Sequence, residues 1–243
     1  MRGILSLLLL VIFTNITAQT TAVKSRAIGV QLGSSTFKDG FVSPIRYDML
    51  MFGIGYNRQR MSDKRLDYSS LSLNYATKSN AERLFQQNVQ TNFRLGRLFS
   101  VAKKLYVGGE SSVVFHTRFS KPFKNFDEGT LTGNALINLN ASAAFFHDFK
   151  QNGRDFRLFN HFSTTVLGFA VCGGGNQQTG VDPIMTFSAL TRFYRFQNTI
   201  GLDFQKNNQK TAWQIAFNWE FTTFKSPVNS QFGNSSISLM RKF

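Results

Sequence analysis

ALINLNASAAFFHDF, residues Ala135 to Phe149, alternates in the way that decides the fold. Its odd positions run Ala135, Ile137, Leu139, Ala141, Ala143, Phe145, and its even positions run Leu136, Asn138, Asn140, Ser142, Ala144, Phe146, Asp148. One face is apolar and the other largely polar, the period-2 pattern of a strand whose two faces meet different surroundings. At about 3.4 Å per residue this segment reaches roughly 50 Å. Strands in soluble domains commonly stop near 5 to 6 residues, and a tilted membrane-crossing strand needs only about 9 to 11.

The same alternation recurs along the chain, and helical periodicity is weak. From Leu105 to Phe119, Leu105, Val107, Val113, Phe115 and Phe119 oppose Tyr106, Glu110, Ser112, His116 and Arg118. From Ala212 to Phe224 the apolar set is Trp213, Ile215, Phe217, Trp219 and Phe221, against Gln214, Asn218, Glu220 and Thr222. Val89, Phe93 and Leu95 oppose Gln90, Asn92 and Arg94; Leu50, Phe52, Ile54 and Tyr56 oppose Met49, Met51, Gly53, Gly55 and Asn57.

Short turns at 62–64, 101–103, 151–153 and 206–209 alternate with longer connections near 38–45, 78–85, 120–131, 172–183 and 225–233. That asymmetry belongs to transmembrane barrels, with tight periplasmic turns and longer outer loops. It predicts an all-β, antiparallel up-and-down barrel of ten strands, within a range of eight to twelve. The strands are expected near 27–37, 46–60, 65–77, 86–99, 104–119, 132–149, 154–171, 184–205, 210–224 and 234–243. The eighth is too long, and its apolar parity changes between Phe187/Phe193 and Ile200/Leu202/Phe204. Either a bulge interrupts it or Gln197-Asn198 is a turn.

The amino terminus reads as an export signal. Arg2 precedes the apolar run Ile4 to Phe13, and Thr14 to Ala18 is small and polar, so cleavage is expected after Ala18, leaving 19–243 as a single domain. A run of this length is too short to span a bilayer as a helix. Residues 19–243 hold 27 basic and 13 acidic side chains, a net charge of about +14. Such an excess fits nucleic acid or an anionic membrane surface. Export argues against nucleic acid and favours outer-membrane lipid and lipopolysaccharide. Phe is abundant at 27 and Pro numbers 4, which suits strands with an aromatic lipid-facing wall. Cys172 is the single cysteine, so no intramolecular disulfide forms.

The chain ends Ser235-Ser236-Ile237-Ser238-Leu239-Met240-Arg241-Lys242-Phe243, an alternating segment that stops on an aromatic. Together with the export signal and the distributed alternation, this resembles small Gram-negative outer-membrane β-barrel proteins. The resemblance implies that Phe243, with Leu239 and Ile237, forms the signal read by the barrel-insertion machinery. It also implies that Trp213, Trp219, Tyr56 and Tyr75 lie in the apolar band or its girdles.

His161 and Ser163 share a face of the seventh strand, placing a base beside a hydroxyl. His-x-Ser on a barrel strand resembles outer-membrane phospholipases and lipid A deacylases. This defines a hydrolase alternative in which His161 and Ser163 would be catalytic. Gly173-Gly174-Gly175-Asn176 lacks the Lys-Ser/Thr and the strand-to-helix setting of a phosphate-binding loop. His116, His147 and His161 fall on different strands without a Cys cluster, so neither a metal site nor a cofactor is expected. Arg94, Glu110, His116, Arg118 and Glu220 face inward together and are expected to pair within the lumen. A barrel of this size is mostly filled by its own side chains. The expected role is therefore non-enzymatic: structural, surface interaction or narrow passage of small solutes. A soluble periplasmic lipocalin-like binding protein is the third reading.

Overall fold

Asn152 and Gly153 both take positive φ, 49° and 70°, between the paired residues Gln151 and Arg154. A two-residue turn of this kind matches the right-handed twist of the strands it joins, and Asn-Gly is the dipeptide that adopts it at least cost. It fixes a long hairpin between β6 (Thr130–Gln151) and β7 (Arg154–Asn176). The remaining strands are β1 (Val23–Asp39), β2 (Ser43–Met61), β3 (Arg65–Asn80), β4 (Leu84–Ala102), β5 (Leu105–Pro122), β8 (Ile184–Ala189), β9 (Phe193–Lys206), β10 (Ala212–Phe224) and β11 (Ser230–Lys242). The computed structural model describes residues 22–39, 43–80, 84–122, 130–176, 184–189, 193–206, 211–224 and 230–243. The segment read as an export signal, the turn near 206–209 and the middles of the longer connections lie outside these residues.

Consecutive strands pair antiparallel, except that β8 and β9 both lie along β7, and β11 returns to β1, with Leu32 opposite Ile237 and Ile28 opposite Arg241. Beyond that ladder Arg26 and Phe243 exchange two backbone hydrogen bonds, 2.9 and 2.8 Å. Among the described residues every strand except the short β8 is paired on both sides, so the ladders satisfy these backbones without water. The result is a closed antiparallel barrel of ten strands, as the alternation predicts.

Two expectations are refined. The strands run further than the alternation showed: β7 reaches Asn176, β5 reaches Pro122 and β11 begins at Ser230, so much of the longer connections is ladder. Val101 and Ala102 likewise belong to β4, and that turn sits at 103–104, with Lys104 at φ 63°.

The eighth barrel strand is made of two pieces. β9 pairs with β7 up to Thr164↔Phe196, and β8 resumes at Leu167↔Ala189. Three steps along β7 thus face seven along its partner, and on the other side Val166 is an extra residue between Asn140↔Thr165 and Leu139↔Leu167. These bulges shift the parity. Gln197 and Asn198 lie inside β9 rather than in a turn.

Side-chain alternation sorts the wall from the lumen. Val30, Ile54, Ile137, Phe217 and Ile237 face outward with half or more of their surface exposed. Returning one such side chain to water costs about 1.5–3 kcal/mol, so a wall built of them belongs in lipid. Inside, an apolar cluster of Leu66, Leu98, Tyr106, Phe146, Phe159 and Ala216 fills the end of the short turns. A second, including Phe37, Met49, Met51, Val114, Leu136, Phe193 and Phe232, fills the opposite half.

Two glycines let aromatic rings lie flat over the neighbouring strand, Tyr68 over its partner Gly96 and Phe159 over its partner Gly201. A Cβ on Gly96 would lie 2.1 Å from Tyr68 Cζ, and one on Gly201 would lie 2.4 Å from Phe159 Cζ. Glycine within a strand commonly marks such a close approach.

Candidate functional site

Glu110, on β5, is 3 % exposed and sits near the middle of the lumen. Its carboxylate accepts hydrogen bonds from Arg94 Nη2 at 2.5 Å, Asn140 Nδ2 at 2.9 Å, Ser163 Oγ at 3.2 Å and the Tyr68 hydroxyl. Donors on four other strands therefore converge on one acid. Burying a carboxylate is tolerable only with such partners.

A second pair lies on the other side. Arg195 Nε donates to Glu220 Oε1 at 2.8 Å, and Gln90 Nε2 donates to Glu220 Oε2 at 3.3 Å. Ser112 links the two centres: its hydroxyl accepts from Arg195 Nη1 at 3.0 Å and from Asn140 Nδ2 at 3.2 Å. Asn234 Nδ2 extends the chain of bonds to Gln90 Oε1 at 2.6 Å. A continuous hydrogen-bonded network thus crosses the lumen from β3 round to β11.

Above this layer, on the side of the longer connections, the Arg118 guanidinium lies 4.1 Å from the centroid of Phe37 and 4.7 Å from that of Phe232. His116 packs against Phe232 at 5.1 Å. The two Phe rings stack at 5.3 Å. Lumen-facing residues in this half are almost all buried, among them Phe37, Met51, Gln90, His116, Arg118 and Thr222. Below the network the packing opens into a cavity of about 150 Å³, lined mainly by amides and hydroxyls such as Asn57, Ser72, Asn74, Asn92, Gln197 and Asn218. That is room for about five waters. The lumen is thus more open between the network and the apolar cluster at the short turns than in the other half.

All five residues of the expected inward charged cluster face the lumen, spread over the network and the layer above it. Arg94 pairs with Glu110, Glu220 pairs with Arg195, and Arg118 and His116 sit against the phenylalanine stack. Arg195 was missed because it lies on the eighth strand, where the bulge obscures which parity faces inward. Ser112, Gln90 and Asn140 were legible only as polar inward positions. Their role as connectors depends on which strands stand opposite across the barrel.

His161 and Ser163 do share the lumen face. The Ser163 hydroxyl donates to Glu110, and the His161 ring packs edge-on against Tyr68 at 4.6 Å. Ser163 is 2 % exposed. At the carboxyl end Ile237, Leu239 and Phe243 all face outward on the wall. Trp213, Trp219 and Tyr75 also face outward.

No family model matches the sequence, and no curated protein matches it. Similarity to solved structures is extensive in fold and slight in sequence. The outer membrane protease OmpT from Escherichia coli superposes with a TM-score of 0.60 at 8 % identity, over 94 % of this chain and 99 % of that one. The translocator domain of the autotransporter NalP from Neisseria meningitidis gives a TM-score of 0.52 at 10 % identity, over 100 % of this chain and 94 % of that one. The architecture is that of the outer-membrane β-barrels.

Proposed function

We propose that this protein resides in the outer membrane as a non-enzymatic barrel whose lumen is closed by its own wall, with a structural role or at most the passage of very small solutes. The short turns face the periplasm and the longer connections face outward. An export signal ending near Ala18 would deliver the chain, and the barrel-insertion machinery would read the final strand. The outward apolar wall supports a membrane location over a soluble lipocalin-like fold, because it would be a large exposed patch in water.

The observation that carries the closed-lumen reading is the pair of buried ion pairs, Arg94–Glu110 and Arg195–Glu220, joined through Ser112. Side chains bonded across the lumen at this level support a closed barrel, in contrast to the wide polar lumen of large porins. The test is single-channel recording in planar bilayers. The native barrel gives no steady conductance, whereas Arg195→Ala/Glu220→Ala, which removes both partners and leaves no lone buried charge, gives small open events. Steady large conductance from the native protein would overturn the reading. Cell fractionation with boiled and unboiled gel samples tests the location: a heat-shifted band in the outer-membrane fraction supports it.

A further inference from the structure

Four cations stand together on the outer wall at the short-turn end, where β1 meets β2. Arg26 is directly opposite Arg58, and Lys24 is directly opposite Arg60. Within each strand these positions are two residues apart, so all four side chains project from the same face, and all are exposed. Like charges directly opposite on a sheet repel, so a folded barrel alone has no use for this arrangement. Among the described residues the nearest acid on this face is Asp67, opposite Arg60 on β3. It is already engaged by Arg97 at 2.7 Å and Arg65 at 3.2 Å. Arg241, on the same outer face of β11 and opposite Ile28, adds a fifth cation.

The chemistry of the adjoining surface limits the partner. One step further along β1 and β2 the outward residues become Ile28, Val30, Tyr56 and Ile54, with Ile28, Val30 and Ile54 each 57–60 % exposed. A cationic block set directly against an apolar wall matches a molecule that carries a negative headgroup joined to hydrocarbon. We infer that Lys24, Arg26, Arg58 and Arg60 form a binding site for the phosphate of an anionic phospholipid, with its acyl chains lying on Ile28, Val30 and Ile54. The inference rests on the membrane reading above, in which this end of the barrel meets the periplasmic leaflet. Guanidinium groups suit this task because each presents a planar fork of donors to phosphate oxygens.

The test uses the full-length mature barrel refolded in neutral detergent. Its heat-modified gel transition is measured with phosphatidylglycerol, with phosphatidylcholine, and with inorganic phosphate alone. Phosphatidylglycerol is expected to raise the transition temperature well beyond phosphatidylcholine, with the difference shrinking as salt is added. Arg58→Gln/Arg60→Gln is expected to abolish that difference, while in neutral detergent it is as stable as the native barrel or more so, because the repulsion is gone. Lys24→Gln/Arg26→Gln, on the partner strand, should do the same. Equal stabilisation by the two lipids, or a full phosphatidylglycerol response in both double variants, would overturn the site. An equal response to inorganic phosphate would overturn the lipid assignment. Failure of the closed-lumen reading appears separately, as conductance, and failure of the barrel itself as a band that does not shift on boiling.

Discussion

Arg26 and Phe243 exchange both of their backbone hydrogen bonds, N–H to O at 2.9 and 2.8 Å, so the last residue of the chain completes the seam between the first and last strands. The terminal aromatic is part of the closing ladder as well as part of the outer wall, where it is 55 % exposed. A chain ending at Lys242 loses both bonds and one outward ring. It is expected to give a smaller fraction of folded barrel on refolding into detergent, read as the unboiled, fast-migrating band. Phe243→Ala, which keeps the backbone bonds, should fall between the two. Equal yields for all three would show that the seam does not depend on this residue.

Glu110 and Arg94 should be strongly coupled. Glu110→Ala strands a buried guanidinium and removes the acceptor of four donors, a change expected to cost about 3–5 kcal/mol. Arg94→Met strands the carboxylate instead. Glu110→Ala/Arg94→Met removes both charges and should lose less than the sum, a coupling of order 1 kcal/mol or more. Urea unfolding followed through Trp213 and Trp219 fluorescence measures all three, and additive losses would contradict the pairing.

Tyr68 reaches Glu110 by lying across Gly96. Gly96→Ala places a methyl where the ring is, since the added Cβ would be 2.1 Å from Tyr68 Cζ. Overpacking of this kind costs about 1–3 kcal/mol. In a Tyr68→Ala background the same substitution should be nearly harmless. The four thermal transitions form a cycle, and the expected outcome is marked non-additivity.

Ser163→Ala separates the structural role of this hydroxyl from a catalytic one. Its bond to the Glu110 carboxylate predicts a loss of about 1.5–3 kcal/mol in stability. Fatty-acid release from phospholipid micelles should be indistinguishable between native and variant barrels. A native rate that vanishes in Ser163→Ala, with the barrel still folded, would restore the lipid hydrolase.

The sequence by itself determined the architecture. Its alternation assigns wall and lumen correctly for Leu105–Phe119, Ala212–Phe224, Val89–Leu95 and Leu50–Tyr56, because a strand's side chains must alternate and the two faces of a membrane barrel demand opposite chemistry. The spacing of turns gave ten strands, and Gln151-Asn152-Gly153 was among the short turns it marked. Where two residues bulge against one, the rule fails: Val166 and the excess between Ala189 and Phe196 shift the parity, and Arg195 was hidden by that shift.

Tertiary structure alone decided the rest. Which inward residues meet across the lumen depends on how far each strand is staggered against the next, and a one-dimensional pattern does not carry that stagger. It brings Ser163 of β7 to Glu110 of β5 rather than to His161 beside it, and joins Glu220 of β10 to Arg195 of β9 rather than to Arg94 or Arg118. On the outer wall it sets Arg26 against Arg58 and Lys24 against Arg60. Each of these residues is visible in the sequence as a charge or a hydroxyl; only the register of the paired strands brings them together as a lumen network and a cationic rim.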